Sequence, residues 1–272
     1  MNAIAKLILK ARKIVFKFGS NTLTGGDGRI NSTLLAEFAE QADAFLKQGK
    51  QIVIVSSGAQ VAGLSAMDRW DRKRDIHYRQ ALCAVGQVKL MNAWEKAFTP
   101  QGIHIAQILL TRDDFTDNTR TLNMRNTLFT LVDEGIVPII NENDSVSVEE
   151  IKIGDNDTLA AQSAILWSAD LLVLFSDIDG LYDKNPRNHA DAQLTEEVRD
   201  ITAARRSATG ETAGGEADGG AGEFGTGGII TKLDAAERVV SYGIPMILAH
   251  GGRKRALESL ADGTGQGTAF LA

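Results

Sequence analysis

The chain has 272 residues with 43% hydrophobic and 24% charged side chains and a formal charge of -6 at neutral pH. That length holds one large core, and the acidic balance argues against a general polyanion binder. Cys83 is the only cysteine, which excludes an internal disulfide, and its QALCAVG flanks read as a buried helix face. The opening MNAIAKLILKAR is too short an apolar run for a signal peptide, and no segment reaches the ~20 apolar residues of a membrane span. The expected location is cytoplasmic.

In chain order, short β-rich apolar runs alternate with segments of helical period, the pattern of a parallel α/β sheet. Ile14 to Phe18 is the first expected strand. After a GGDG turn, Leu34, Leu35, Phe38, Ala42, Phe45 and Leu46 fall on one face of a helix that stops at Gly49. Ile52 to Val55 is a second strand, running straight into SSGA. A helix over Gln80 to Phe98, a strand over Ile103 to Leu110, a helix over Thr121 to Glu134 and a strand over Ile136 to Ile140 follow. A hairpin is expected before GDND, where Asp155 or Asn156 can cap a helix through Leu159, Ala160, Ala164 and Ile165.

Leu171 to Phe175 is almost wholly apolar, as befits a strand covered on both faces. Residues 207–225 are dominated by Gly, Ala, Glu, Asp and Thr and read as a mobile loop within the domain, not as a boundary. A helix over Thr231 to Tyr242, a strand over Pro245 to Ala249, a short helix after Gly252 and a final GTAF edge strand complete the pattern. The expected fold class is α/β, a three-layer αβα sandwich with an open, mostly parallel sheet, as one domain over residues 1–272.

Four expected strand ends carry polar residues, and ligands of open α/β sheets bind beyond the carboxyl ends of the strands. FGS follows the first strand, SSGA the second, NENDS the strand ending at Ile140, and SDIDGLY the strand ending at Phe175. Gly19 and Ser20 are either a plain turn or a pair of phosphate-facing amides; Ser57, Gly58 and Ala59 either start a helix or form an anion-binding turn. Lys17 alternates with Phe16 and Phe18, which suits a solvent-facing edge lysine or a cation of a phosphate-handling site. Lys232 falls in a first helical turn after GTGG, where the dipole disfavours a cation, so an anionic partner would account for it. Asp144 and the adjacent Asp155, Asn156 and Asp157 crowd acidic groups that are costly without a cation among them, although a capped loop is the plainer reading.

The chain lacks GxxxxGK[ST], the protein-kinase HRD and DFG set, and GxGxxG after the first strand. His77, His104, His189 and His250 share no ligand spacing, which argues against a zinc enzyme, and no metal-ligand set is expected.

KFGS at 17–20, VSSGA at 55–59, LLTRDD at 109–114, INENDSV at 140–146, IKIGDNDTLAA at 151–161, SDIDGLY at 176–182 and GTGGIITK at 225–232 are collinear over nearly the whole chain. In this set the chain resembles the amino acid kinase family, and through NEND plus GDND its glutamate-phosphorylating branch. The resemblance implies ATP with Mg²⁺, phosphorylation of the side-chain carboxylate of L-glutamate to L-glutamyl 5-phosphate, and a place at the first step of proline biosynthesis. It implies Lys17 and Lys232 as cations over the transferring phosphoryl group and Asp157 as the acid organising both. Ser57, Asp144 and Asn156 would bind glutamate with support from Asp155, and Gly19, Ser20 and Gly58 would offer amides to phosphate. The nucleotide would be held by Lys17, Ser176, Asp177, Thr226, Gly227, Gly228, Ile229, Ile230, Thr231 and Lys232.

Ile229 stands where such loops commonly have Met, Ser176 replaces a frequent Thr, and the Gly-rich loop is longer and more acidic than is usual in the family. The PUA domain that many relatives carry at the C-terminus is not expected. The resemblance further implies proline as feedback inhibitor, glutamyl-phosphate reductase as downstream enzyme and a homo-oligomer, either dimer or tetramer, with no nucleic-acid or membrane partner. Another small-molecule kinase of the same family and a catalytically silent amino-acid or nucleotide sensor are the alternative readings.

Overall fold

A computed structural model of the chain describes residues 1–67, 75–147, 156–184, 189, 191–209 and 228–271. The described strands are β1 (Lys13–Phe18), β2 (Gln51–Ser56), β3 (Ile105–Leu110), β4 (Val137–Glu142), β5 (Leu171–Ser176), β6 (Glu197–Val198), β7 (Met246–His250) and β8 (Thr268–Phe270). They form an eight-stranded sheet in the order β3-β4-β2-β1-β5-β7-β8-β6. Every pairing is parallel except that of β7 with β8.

Helices cover both faces, and the period-two alternation of β1 shows why. Ile14, Phe16 and Phe18 point into one core together with α1 (Ala3–Lys10), α3 (Ser32–Lys47), α5 (Ile76–Phe98) and α10 (Ala256–Asp262). Val15 points into the other core, formed with α6 (Asn118–Asp133), α7 (Asn156–Trp167), α8 (Ile201–Thr209) and α9 (Ile229–Val240). Two short helices, α2 (Ser20–Leu23) and α4 (Ala59–Met67), follow β1 and β2 directly. The three-layer sandwich read from the sequence is the architecture observed. No described helix is long and apolar enough to cross a membrane.

An aromatic floor braces the carboxyl ends of the central strands. Phe18 packs edge-on against Phe38 at 4.8 Å and Trp94 at 5.4 Å, and leans on Phe175 of the neighbouring strand at 5.1 Å. Each such ring buries apolar area worth roughly 1.5–3 kcal/mol, and each edge-on pair adds about 0.5–1.5 kcal/mol. The Trp94 indole N–H donates to Ser56 Oγ at 2.9 Å, which fixes the end of β2 to α5.

Close backbone contact between α4 and α5 needs glycine. A Cβ on Gly86 would lie 1.8 Å from Ala59 O and 2.4 Å from Gly63 N, so the two helices meet with no side chain between them at this crossing. Gly58, at φ +105, turns the chain from β2 into α4.

Some expectations change. Residues 103–104 precede β3, which begins at Ile105, and the helix predicted from Gln80 begins four residues earlier, where Asp75 caps it through His77 N and Tyr78 N. GTAF is not an edge strand: β8 lies between β7 and the two-residue β6. The hairpin before GDND and most of the 207–225 loop lie outside the described residues.

Candidate active site

The four strand ends singled out in the sequence belong to β4, β2, β1 and β5, which are consecutive in the sheet. Chain order reverses around β1: β2 and β4 lie on one side of it and β5 on the other. Such a switch point opens a crevice at the carboxyl edge.

Lys17 is in the central strand, paired in register with Val55 and Leu174, which rules out the edge-strand reading. It points into the α7/α9 layer and is 6% exposed. Its ammonium forms an ion pair with Asp157 Oδ1. Asp157 is in the first turn of α7, where the helix dipole favours a carboxylate, and it is fully buried. Lys232, in the first turn of α9 and 6% exposed, reaches Asp157 Oδ2 at 3.2 Å. The same oxygen accepts from Thr231 Oγ1 at 3.1 Å. The anionic partner that Lys232 needed is therefore Asp157.

Burial by itself would raise the Asp157 pKa, but the charges of Lys17 and Lys232 and their hydrogen bonds overcome it and hold the carboxyl well below the usual range. It stays ionised throughout the neutral range. Two cations on one carboxylate leave a net positive centre at the mouth of β1, suited to a transferring phosphoryl group.

Next to this centre, Asn156 turns the opposite way. Its Nδ2 donates to Ser57 Oγ and to Asn141 Oδ1, both at 2.8 Å, joining the N-terminus of α7 to the ends of β2 and β4. Asn156 Oδ1 is buried and has no hydrogen-bond partner among the described residues. Asp144 lies three residues past Asn141 and is largely buried. Burial, with repulsion from Glu142, pushes its pKa up to about 7 against the opposing Cys83 thiol and Arg79 charge. An ammonium brought to it would restore its charge.

On the far side of β1, Asp177 follows β5 and accepts from Asn21 Nδ2 at 2.9 Å and from Ser176 Oγ at 3.1 Å. Burial opposes ionisation there, but these hydrogen bonds lower its pKa. Gly228 is the N-cap of α9 with no side-chain cap, so the amides of Ile229, Ile230 and Thr231 open the helix toward this end. The Gly19 N–H donates to Phe175 O at 3.3 Å, so of the amides expected to face phosphate this one is directed at the neighbouring strand. A Cβ on Gly19 would stand 3.6 Å from Lys17 Nζ, which places the glycine directly over the ammonium. Ser20 opens α2 and Gly58 precedes α4. Asp155, Thr226 and Gly227 lie outside the described residues.

Three residues in contact with the site went unread in the sequence. Asn141 was visible inside the NEND motif, whereas Gln87 and Asn21 carried no local signal. Among the described residues, no group of three or more acidic, histidine or thiol side chains converges as a metal site.

A family model described as the amino acid kinase family matches residues 12–250. Glutamate 5-kinase of Alkaliphilus metalliredigens is 56% identical over 269 residues, covering 99% of each chain. Glutamate 5-kinase of Alkaliphilus oremlandii is 55% identical over 263 residues, covering 96% of this chain and 97% of its own. Among solved structures, UMP kinase from Ureaplasma parvum superposes with a TM-score of 0.64 at 15% identity, covering 97% of this chain and 100% of that one, a likeness of fold.

Proposed function

The chain belongs to the amino acid kinase family, and from that premise we propose that it transfers the γ-phosphoryl group of ATP to the side-chain carboxylate of L-glutamate. The product is L-glutamyl 5-phosphate, and the step is the first of proline biosynthesis. The observation that carries the reading is the buried Asp157 carboxylate shared by Lys17 and Lys232 next to an Asn156 that reaches Ser57. Relatives named glutamate 5-kinase, at 55% identity and above over nearly the whole chain, support glutamate among the acceptors the family uses.

The chemistry asks little of proton transfer. A glutamate side chain, with a pKa of about 4.3, is already ionised at neutral pH and needs no general base. The obstacle is the approach of two anions and the charge spread over the phosphoryl oxygens in the transition state. Lys17 and Lys232 supply positive charge at that point, and Asp157 keeps both ammonium groups aimed while no phosphate is bound. Asp144 and the free Oδ1 of Asn156 accept from the α-ammonium of the amino acid. Ser176, Asp177 and the α9 N-terminus from Gly228 hold the nucleotide. Mg²⁺, implied by the resemblance, would be carried on the oxygens of the nucleotide and would neutralise phosphate charge there.

Inhibition by proline, hand-off to glutamyl-phosphate reductase and homo-oligomer formation belong to the same proposal, and their support is the sequence resemblance. ADP release measured with L-glutamate, aspartate, acetylglutamate, carbamate and a nucleoside monophosphate tests it. Turnover with glutamate alone supports the reading; turnover with a different acceptor, or with none, contradicts it.

A further inference from the structure

Asn156, Asn141 and Gln87 form a buried line of amides, with exposures of 0%, 2% and 8%. They come from three elements: α7, β4 and α5. Asn156 Nδ2 donates to Asn141 Oδ1, and Asn141 Nδ2 donates to Gln87 Oε1, each at 2.8 Å. Every amide has a donor end and an acceptor end, so such a line has a direction that must be the same throughout. Here it runs from Asn156 to Gln87. The two loose ends are Asn156 Oδ1, an acceptor, and Gln87 Nε2, a donor, both buried and without a partner among the described residues.

The direction decides what Asn156 shows the substrate. While Gln87 presents its carbonyl to Asn141, the Asn141 amide turns its carbonyl toward Asn156, and Asn156 spends its NH₂ on Asn141 and Ser57. Its oxygen is then the free end, an acceptor for an ammonium. With the line reversed, Asn156 would offer an N–H instead and repel that ammonium. From this we infer that Gln87 is a positioning residue for substrate selection: acting through Asn141, it holds Asn156 in the orientation that accepts from the α-ammonium of the amino acid. The inference rests on glutamate being the acceptor.

The test compares the unaltered protein with Gln87→Met and Gln87→Glu, measuring KM for glutamate, KM for ATP and the Ki of glutarate, which lacks the ammonium. The Met thioether is only a weak acceptor and offers Asn141 no carbonyl, so the direction is no longer fixed. Losing a hydrogen bond to a charged group should raise KM for glutamate by about 10- to 100-fold. Glutarate inhibition and KM for ATP should stay within about threefold, the latter showing that the fold is intact. The Glu side chain still accepts from Asn141, so Gln87→Glu should keep the preference for glutamate over glutarate. An unchanged glutamate-to-glutarate ratio in Gln87→Met, or a ratio lost as fully in Gln87→Glu, overturns the inference. Failure of the unaltered protein to turn over glutamate overturns the functional reading instead.

Discussion

Lys232 and Asp157 are 75 residues apart in sequence and meet at 3.2 Å, both buried. A lysine in the first turn of a helix works against the helix dipole, and Asp157 is what makes that placement tolerable. With Lys17 on its other oxygen, Asp157 couples the central strand to the first turns of two helices.

Asp157→Asn should therefore damage both activity and fold. Removing one partner of a buried ionic cluster costs roughly 3–5 kcal/mol, and mispositioned lysines should cut kcat by at least about 100-fold. Because the Asp157 pKa is lowered in the folded state, its stabilising contribution is present above the unfolded carboxylate pKa of ~3.9 and lost as pH falls below it. Thermal melts of the two proteins should differ by a constant margin from pH 5 to 8 and converge only in stronger acid.

The raised Asp144 pKa has the opposite sign. Between the unfolded value of ~3.9 and about 7 the folded state holds the proton more tightly, so this group costs stability as pH rises through that window. Asp144→Asn should melt higher than the unaltered protein at pH 8, with the gap shrinking toward pH 4. Ammonium binding needs the carboxylate, so KM for glutamate should rise by about tenfold per unit below pH 7, and this slope should vanish in Asp144→Asn.

Gly86→Val tests whether the α4–α5 crossing positions the Ser57 turn. The added atoms collide with the Ala59 and Gly63 backbone, which cannot yield as a side chain can. Overpacking of this kind costs about 1–3 kcal/mol or more. A lower Tm together with a raised KM for glutamate is expected, read by melts and steady-state kinetics.

The strands were legible because β1, β2, β4 and β5 are short apolar runs ending at polar turns, and those turns proved to be adjacent. Lys17, Asp157 and Lys232 could be singled out because each broke a local rule: a lysine in an apolar strand, an acid among acids, a cation at a helix start. The order of the sheet could not be read, since β5 reaches β1 through long-range pairing that leaves no trace in either segment. β6 has two residues, too few to show alternation, and so the sequence alone makes β8 an edge. In sequence, Gln87 is an ordinary polar helix residue and Asn21 an ordinary polar residue after a strand-end turn. Only tertiary packing brings Gln87 to Asn141 and Asn21 to Asp177.

The most direct measurement traps glutamyl phosphate as its hydroxamate, with ATP and L-glutamate, in the unaltered protein and in Lys17→Ala. If Lys17 supplies charge to the transferring phosphoryl group, hydroxamate formation in the variant should fall by about 10²–10³-fold while the protein remains folded. Formation at an unchanged rate in Lys17→Ala would contradict the account.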